Sequence, residues 1–149
     1  MTKMKTRIYR YYADCKLNGD AVISPRFYLN NLNYCNEFMT ELVKRLGMQE
    51  IGRIAHYIGG NSFPDSPGGV SIAVIFLESG AQLHTWSEEE EFYLDVVSCK
   101  KFDPEQIDNL ISYYFNQEPY QRVFASYDEK GERCIDFTEL EKESPMLEQ

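Results

Sequence analysis

The chain has 149 residues, 43% of them hydrophobic and 14% aromatic, which fits one globular domain with a real core. Its net charge of -9 argues against a nucleic-acid partner, whose phosphates demand a basic surface. No stretch approaches the roughly 20 apolar residues of a membrane helix, and the basic start MTKMKTRIYRYYAD lacks the apolar core of a secretory signal, so a cytoplasmic protein with no membrane partner is expected.

Residues 6–17, TRIYRYYADCKL, are rich in aromatic and β-forming side chains and read as a first strand. Asn-Gly and Ser-Pro punctuate LNGDAVISPRFYLNN, which reads as a loop. NYCNEFMTELVKRLG puts Phe38, Leu42 and Leu46 on one helical face, and Gly47 supplies the stop. MQEIGRIAHYIG carries Ile51, Ile54 and Tyr57 in imperfect alternation and reads as a strand. After a loop of turn formers, GGNSFPDSPGG, comes the strongest strand signal, VSIAVIFLES, expected to end in a Glu-Ser-Gly turn at 78–80. LHTW turns the chain back, EEEEFYLDVVSC is a further strand, and Asp103-Pro104 opens a helix over DPEQIDNLISYYFN. YQRVFASYD is the last strand, followed by a charged, poorly patterned tail at 128–149 that is expected to be flexible. No repeat or linker divides residues 1–149, so a single domain is expected.

The order is therefore strand, helix, three strands, helix, strand. Short connections make the central neighbours antiparallel, because parallel ones need a long crossover. The expected fold class is α+β, a two-layer sandwich of an antiparallel sheet with both helices on one face.

Cys15, Cys35, Cys99 and Cys134 are widely spaced without a CxxC pair, and the chain has only two histidines. That pattern excludes the familiar zinc spacings, and no metal is expected. Taken singly, Ser79 is a turn residue, His84 a half-buried histidine, Cys99 a packing residue and Ser71 a strand start. Trp86 is expected in the core, and Cys15, Cys35, Cys134 and His56 are expected to be structural. The joint spacing of the first four residues is what needs explaining.

PGGVSIAVIFLESGAQLHTWSE followed by DVVSC resembles the core of the prokaryotic S-adenosylmethionine decarboxylases, the small pyruvoyl-dependent class. That family's pattern is Pro-x-Gly-Val-Ser, then Glu-Ser-His, then His-Thr-Trp-Pro-Glu, then a cysteine after a short strand. Pro67, Gly69, Val70, Ser71, Glu78, Ser79, His84, Thr85, Trp86, Glu88 and Cys99 fall at the family's spacing without a gap. The resemblance implies decarboxylation of S-adenosylmethionine for polyamine (spermidine) synthesis. Loss of carbon dioxide from an α-amino acid leaves a carbanion that needs an electron sink. In the family that sink is a pyruvoyl group made from the protein's own serine, here Ser79. Its hydroxyl attacks the carbonyl of Glu78, the amide becomes an ester, and loss of the α-proton breaks the chain. The dehydroalanine then hydrolyses to a ketone, leaving residues 1–78 and a second chain that begins with pyruvate at position 79.

By the same resemblance, His84 and Ser71 assist the self-cleavage, since serine is a poor nucleophile unaided. The small-molecule substrate forms a Schiff base with the ketone. Cys99 then donates the proton to the decarboxylated carbon, and Glu88 holds the ribose hydroxyls.

The chain departs from the family in three places. The histidine after the cleavage serine is Gly80, which widens the conformations open to the turn. Ser87 replaces the proline after His-Thr-Trp. Counting back from Ser71 places Asp65 where the family carries an adenine-stacking aromatic, with Phe63 two residues away as the alternative substrate contact. A carboxylate there suits a cationic substrate, so a pyruvoyl decarboxylase of arginine or ornithine is the second reading. The third is a non-processing relative that binds a ligand or partner subunit without catalysis. Finally, Ser71 and Ser79, if they share one extended strand, are about 26 Å apart. Both reach one centre if a second protomer contributes one of them, so a homodimer with shared active sites is expected, as in the family.

Overall fold

The structure, a computed structural model, describes residues 8–17, 28–61, 63–66, 68–116, 119, 121–127 and, as backbone, 133–135. Its elements in chain order are β1 (Ile8–Lys16), α1 (Leu32–Leu46), β2 (Glu50–Tyr57), β3 (Val70–Phe76), β4 (Ser79–Trp86), β5 (Glu91–Ser98), α2 (Pro104–Phe115), β6 (Gln121–Tyr127) and β7 (Arg133–Ile135). The strands form one sheet in the order β2-β3-β4-β5-β1-β6-β7, with every neighbouring pair antiparallel.

Local chemistry sets the helix ends. The Asn31 side chain accepts from the Tyr34 N–H to cap α1, and Gly47 closes it in the left-handed region at φ 65°. Asp103 caps α2 and Pro104 fills its first turn, where a missing N–H costs nothing. α1 buries Phe38, Met39 and Leu42, and α2 buries Ile107, Leu110 and Ile111. These join one apolar core with alternate strand residues: Tyr11 and Ala13 of β1, Ile72 and Val74 of β3, Leu83 of β4, and Phe92 and Leu94 of β5. Both helices thus cover the same sheet face, and the α+β sandwich expected from the sequence is the fold observed.

Among the described residues, no element covers the opposite face. Period-two alternation puts Ser71, Ala73 and Ile75 of β3, Gln82, His84 and Trp86 of β4, and Tyr93, Asp95 and Val97 of β5 on it. Arg10 of β1 clasps Asp95 there with two hydrogen bonds of 2.9 Å.

Four expectations need correcting. LHTW does not turn the chain back: it lies within β4, whose Ala81, Leu83 and Thr85 are buried in alternation with Gln82, His84 and Trp86. The reversal before it is a two-residue hairpin at Leu77–Glu78, closed by the pair Phe76 and Ser79, rather than a Glu-Ser-Gly turn. Trp86 is 37% exposed on the open face instead of in the core. And β6 is not last, because β7 pairs with it from within the region read as tail. The rest of that tail, 128–132 and 136–149, and most of the first loop, 18–27, lie outside the described residues.

Candidate functional site

The β3–β4 hairpin carries the sequence-predicted residues in two groups, one at each end. At its tip, Glu78 and Ser79 meet Cys99, which follows β5. The Cys99 N–H donates to Ser79 Oγ at 3.2 Å, and the Cys99 thiol donates to Glu78 Oε1 at 3.4 Å. A donor aimed at Oγ stabilises negative charge on that oxygen. Glu78 has φ 59°, a left-handed conformation that costs a side-chain-bearing residue about 1–2 kcal/mol. The peptide between Glu78 and Ser79 is thus held in a strained turn. Gly80, by contrast, sits inside β4 opposite Ile75 and Val97, with no positive φ. The turn freedom expected of it is not used.

At the other end, Ser71 and His84 are directly paired across β3 and β4, and Ser71 Oγ lies 2.9 Å from His84 Nδ1. His84 Nε2 lies 3.0 Å from Gln82 Oε1. The imidazole packs against the ring of Tyr93 at 5.1 Å, and burial lowers its pKa below the ordinary 6.5, favouring the neutral base. This end is braced from the core side. The Thr85 hydroxyl accepts from the Val70 N–H at 2.8 Å and donates to the Leu29 carbonyl at 2.7 Å. Gly69, at φ 137°, lies against the Thr85 backbone so closely that a Cβ would collide with its carbonyl.

One protomer does not unite the two groups. Ser71 is level with His84 and Ser79 with Phe76, so five residue steps of hairpin, about 17 Å, separate them. They also face opposite ways: Ser79 shares the parity of buried Ala81 and Leu83, whereas Ser71 and His84 face the open side. The separation is shorter than the extended-strand reading implies because the chain folds back at Leu77, but the gap remains.

Phe63 and Asp65 are exposed in the loop that leads into β3, where the Phe63 carbonyl accepts from the Ser66 N–H at 3.1 Å. Glu88 is exposed in the turn after β4. All three therefore belong to the Ser71 end. Of the residues expected to be structural, Cys15 and Cys35 are buried, and burial pushes the Cys35 thiol up to about 12. Cys134 is described only as backbone in β7. His56 stands on β2 directly opposite Ser71. The contacts of Gln82 and Tyr93 with His84 were not legible in the sequence. The available signal was period-two spacing from His84 along β4, which needs the true turn position.

Residues 16–125 match the family described as S-adenosylmethionine decarboxylase. The S-adenosylmethionine decarboxylase proenzyme of Clostridium botulinum (strain Hall) is 31% identical over 80 residues, covering 53% of this chain and 63% of that protein. The arginine decarboxylase proenzyme of Aeropyrum pernix is 33% identical over 63 residues, covering 42% of this chain and 47% of that protein. The matched part spans less than two thirds of either relative. The crystal structure of the adenosylmethionine decarboxylase from Aquifex aeolicus superposes with a TM-score of 0.57 at 22% identity, over 95% of this chain and 98% of that one, and so shares its fold. The family match runs through both ends of the hairpin and over most of the sequence, and the chain belongs to the S-adenosylmethionine decarboxylase family.

Proposed function

We propose that this protein is a self-processing decarboxylase of S-adenosylmethionine, cleaving itself between Glu78 and Ser79, in the service of polyamine synthesis. The observation that carries the reading is the meeting of Ser79, Cys99 and a left-handed Glu78 at one hairpin tip. Strain in the peptide to be broken, a donor on the attacking oxygen and a thiol at the same spot all fit a serine that becomes a pyruvoyl group. Such a group supplies the electron sink for the carbanion left by decarboxylation. Cys99, whose backbone N–H reaches Ser79 Oγ and whose thiol donates to Glu78 Oε1, is the proton source at this tip. Ser71 and neutral His84 supply a hydroxyl and a base, and the 17 Å gap on the hairpin (about five residues of strand rise) is bridged when they come from a second protomer. A homodimer with two shared sites follows, each with Ser79 and Cys99 of one chain facing Ser71, His84, Glu88 and the 63–65 loop of the other. A cytoplasmic location agrees with the absence, among the described residues, of a helix long and apolar enough to cross a membrane.

A second reading, decarboxylation of arginine or ornithine, is favoured by Asp65 and by the resemblance to the arginine decarboxylase proenzyme. A guanidinium or ammonium gains a charge-assisted hydrogen bond from a carboxylate that adenine does not. Turnover of S-adenosylmethionine, arginine and ornithine by wild type, Phe63→Ala and Asp65→Ala separates the two. If Phe63 stacks on adenine, its removal weakens S-adenosylmethionine by about 1 to 3 kcal/mol, roughly 5- to 150-fold in affinity. Turnover of a basic amino acid, lost in Asp65→Ala, transfers the assignment to the second reading. No turnover of any of the three by fully cleaved protein contradicts both.

A further inference from the structure

Ser71, His84 and Gln82 form a continuous hydrogen-bonded chain on the open face. Ser71 Oγ is 2.9 Å from Nδ1 of the imidazole, and Gln82 Oε1 is 3.0 Å from Nε2. A neutral imidazole has one N–H and one bare nitrogen, and an amide oxygen can only accept. With the oxygen end of the Gln82 amide toward the ring, the arrangement that satisfies both contacts puts the hydrogen on Nε2 and leaves Nδ1 bare to accept the hydrogen of the Ser71 hydroxyl. We infer that Gln82 is a positioning residue that sets the tautomer and ring orientation of His84, so that Nδ1 is the basic nitrogen presented to Ser71. Its use in self-cleavage rests on the function proposed above; its physical content does not.

The surroundings leave this task to Gln82. Gln82 and His84, two residues apart on β4, share one face, and Ala73 directly across β3 leaves the amide room to reach along the strand. The carboxylate opposite Gln82 on β5 is Asp95, and both of its oxygens are engaged by Arg10. The groups facing His84 from other strands are Ser71 on β3, His56 beyond it on β2, and Tyr93 on β5 with Glu91 next along that face. Tyr93 contributes ring packing at 5.1 Å. An orienting third group behind a base is a recurrent device where a serine hydroxyl must be activated.

The test is nitrogen-15 NMR of the imidazoles, made in the Ser79→Ala background so that the chain stays uncut. The chain has two histidines, and His56→Asn leaves His84 as the single imidazole signal. The expected spectrum at neutral pH shows His84 with Nε2 protonated and Nδ1 bare. Gln82→Met keeps the length and removes the acceptor, so the two tautomers should mix; Gln82→Glu should keep Nε2–H and raise the titration midpoint. With Ser79 restored, Gln82→Met should slow cleavage, roughly ten- to a hundredfold by analogy with partners that orient metal-bound histidines, and Gln82→Glu should restore much of the rate. A protonated Nδ1 in the starting protein, or an unchanged Nε2–H share in Gln82→Met, overturns the inference. If the unaltered chain never cleaves, the proposed function falls while the spectrum still decides the role of Gln82.

Discussion

Glu78 is a residue on which sequence and geometry disagree, as is Glu90 in the next turn at φ 57°. Left-handed turn positions normally fall to glycine or asparagine, yet a glutamate stands here with the candidate scissile bond on its carbonyl side. In the Ser79→Ala background, Glu78→Gly should be more stable than Glu78→Ala by about 1 kcal/mol, since both lose the carboxylate and only glycine is at ease with positive φ. Urea titration of the pair measures it. His84 gives a pH prediction. Burial holds its folded pKa below the ordinary 6.5, so between those two values the unfolded chain binds more protons than the folded one. Stability from this group is therefore full above about pH 6.5 and declines as pH falls through the window to the folded value. Cleavage should decline only as pH approaches that lower folded value, where Nδ1 itself takes a proton. Urea midpoints with and without His84→Gln across pH 5.5–7.5, and cleavage rates over the same range, check both. Ser71, Ser79, His84 and Cys99 could be singled out as candidates because their spacing is joint, and the structure pairs them as Ser71 with His84 and Ser79 with Cys99. Gln82 could not be, because a polar residue on an open strand looks like any solvated side chain.

At the scale of elements, the β3–β4 hairpin explains both what was legible and what was not. VSIAVIF announces a strand through β-branched residues. SGAQLHTW does not, since its buried set, Ala81, Leu83 and Thr85, is weakly apolar and its outward set includes a glycine. With Leu-Glu at the true turn and Gly80 beside it, local turn chemistry points to the wrong place. Helix caps and stops, in contrast, are short-range devices, so Gly47 and Asp103-Pro104 could be read directly. The other end of the hairpin depends on Gly69. Because a Cβ there collides with the Thr85 carbonyl and the backbone has φ 137°, Gly69→Ala should cost about 2 kcal/mol or more. It should also loosen the Ser71–His84 pairing just beyond it. Thermal or urea unfolding of the variant, with amide exchange at Val70, reads out the two effects.

Among the described residues, the sheet presents one face to the helices and nothing covers the other, where Ile54, Ile75 and Val97 are exposed. The sandwich was legible because alternation and two amphipathic helices fix which faces must be buried; β7 was not, since three residues in a charged segment carry no periodicity. Light scattering at micromolar concentration should report a dimer. A monomer with intact cleavage would remove the shared-site argument, because one chain keeps Ser79 and His84 apart and on opposite faces. The claim beneath all of this is that the chain cuts itself at the hairpin tip, and intact-mass measurement of the purified protein tests it most directly. The expected result is two fragments, residues 1–78 and residues 79–149, the second lacking a free N-terminal amine, with Ser79→Ala remaining whole. A single uncut mass after long incubation of the unaltered chain would contradict the account and leave a non-processing member of the family.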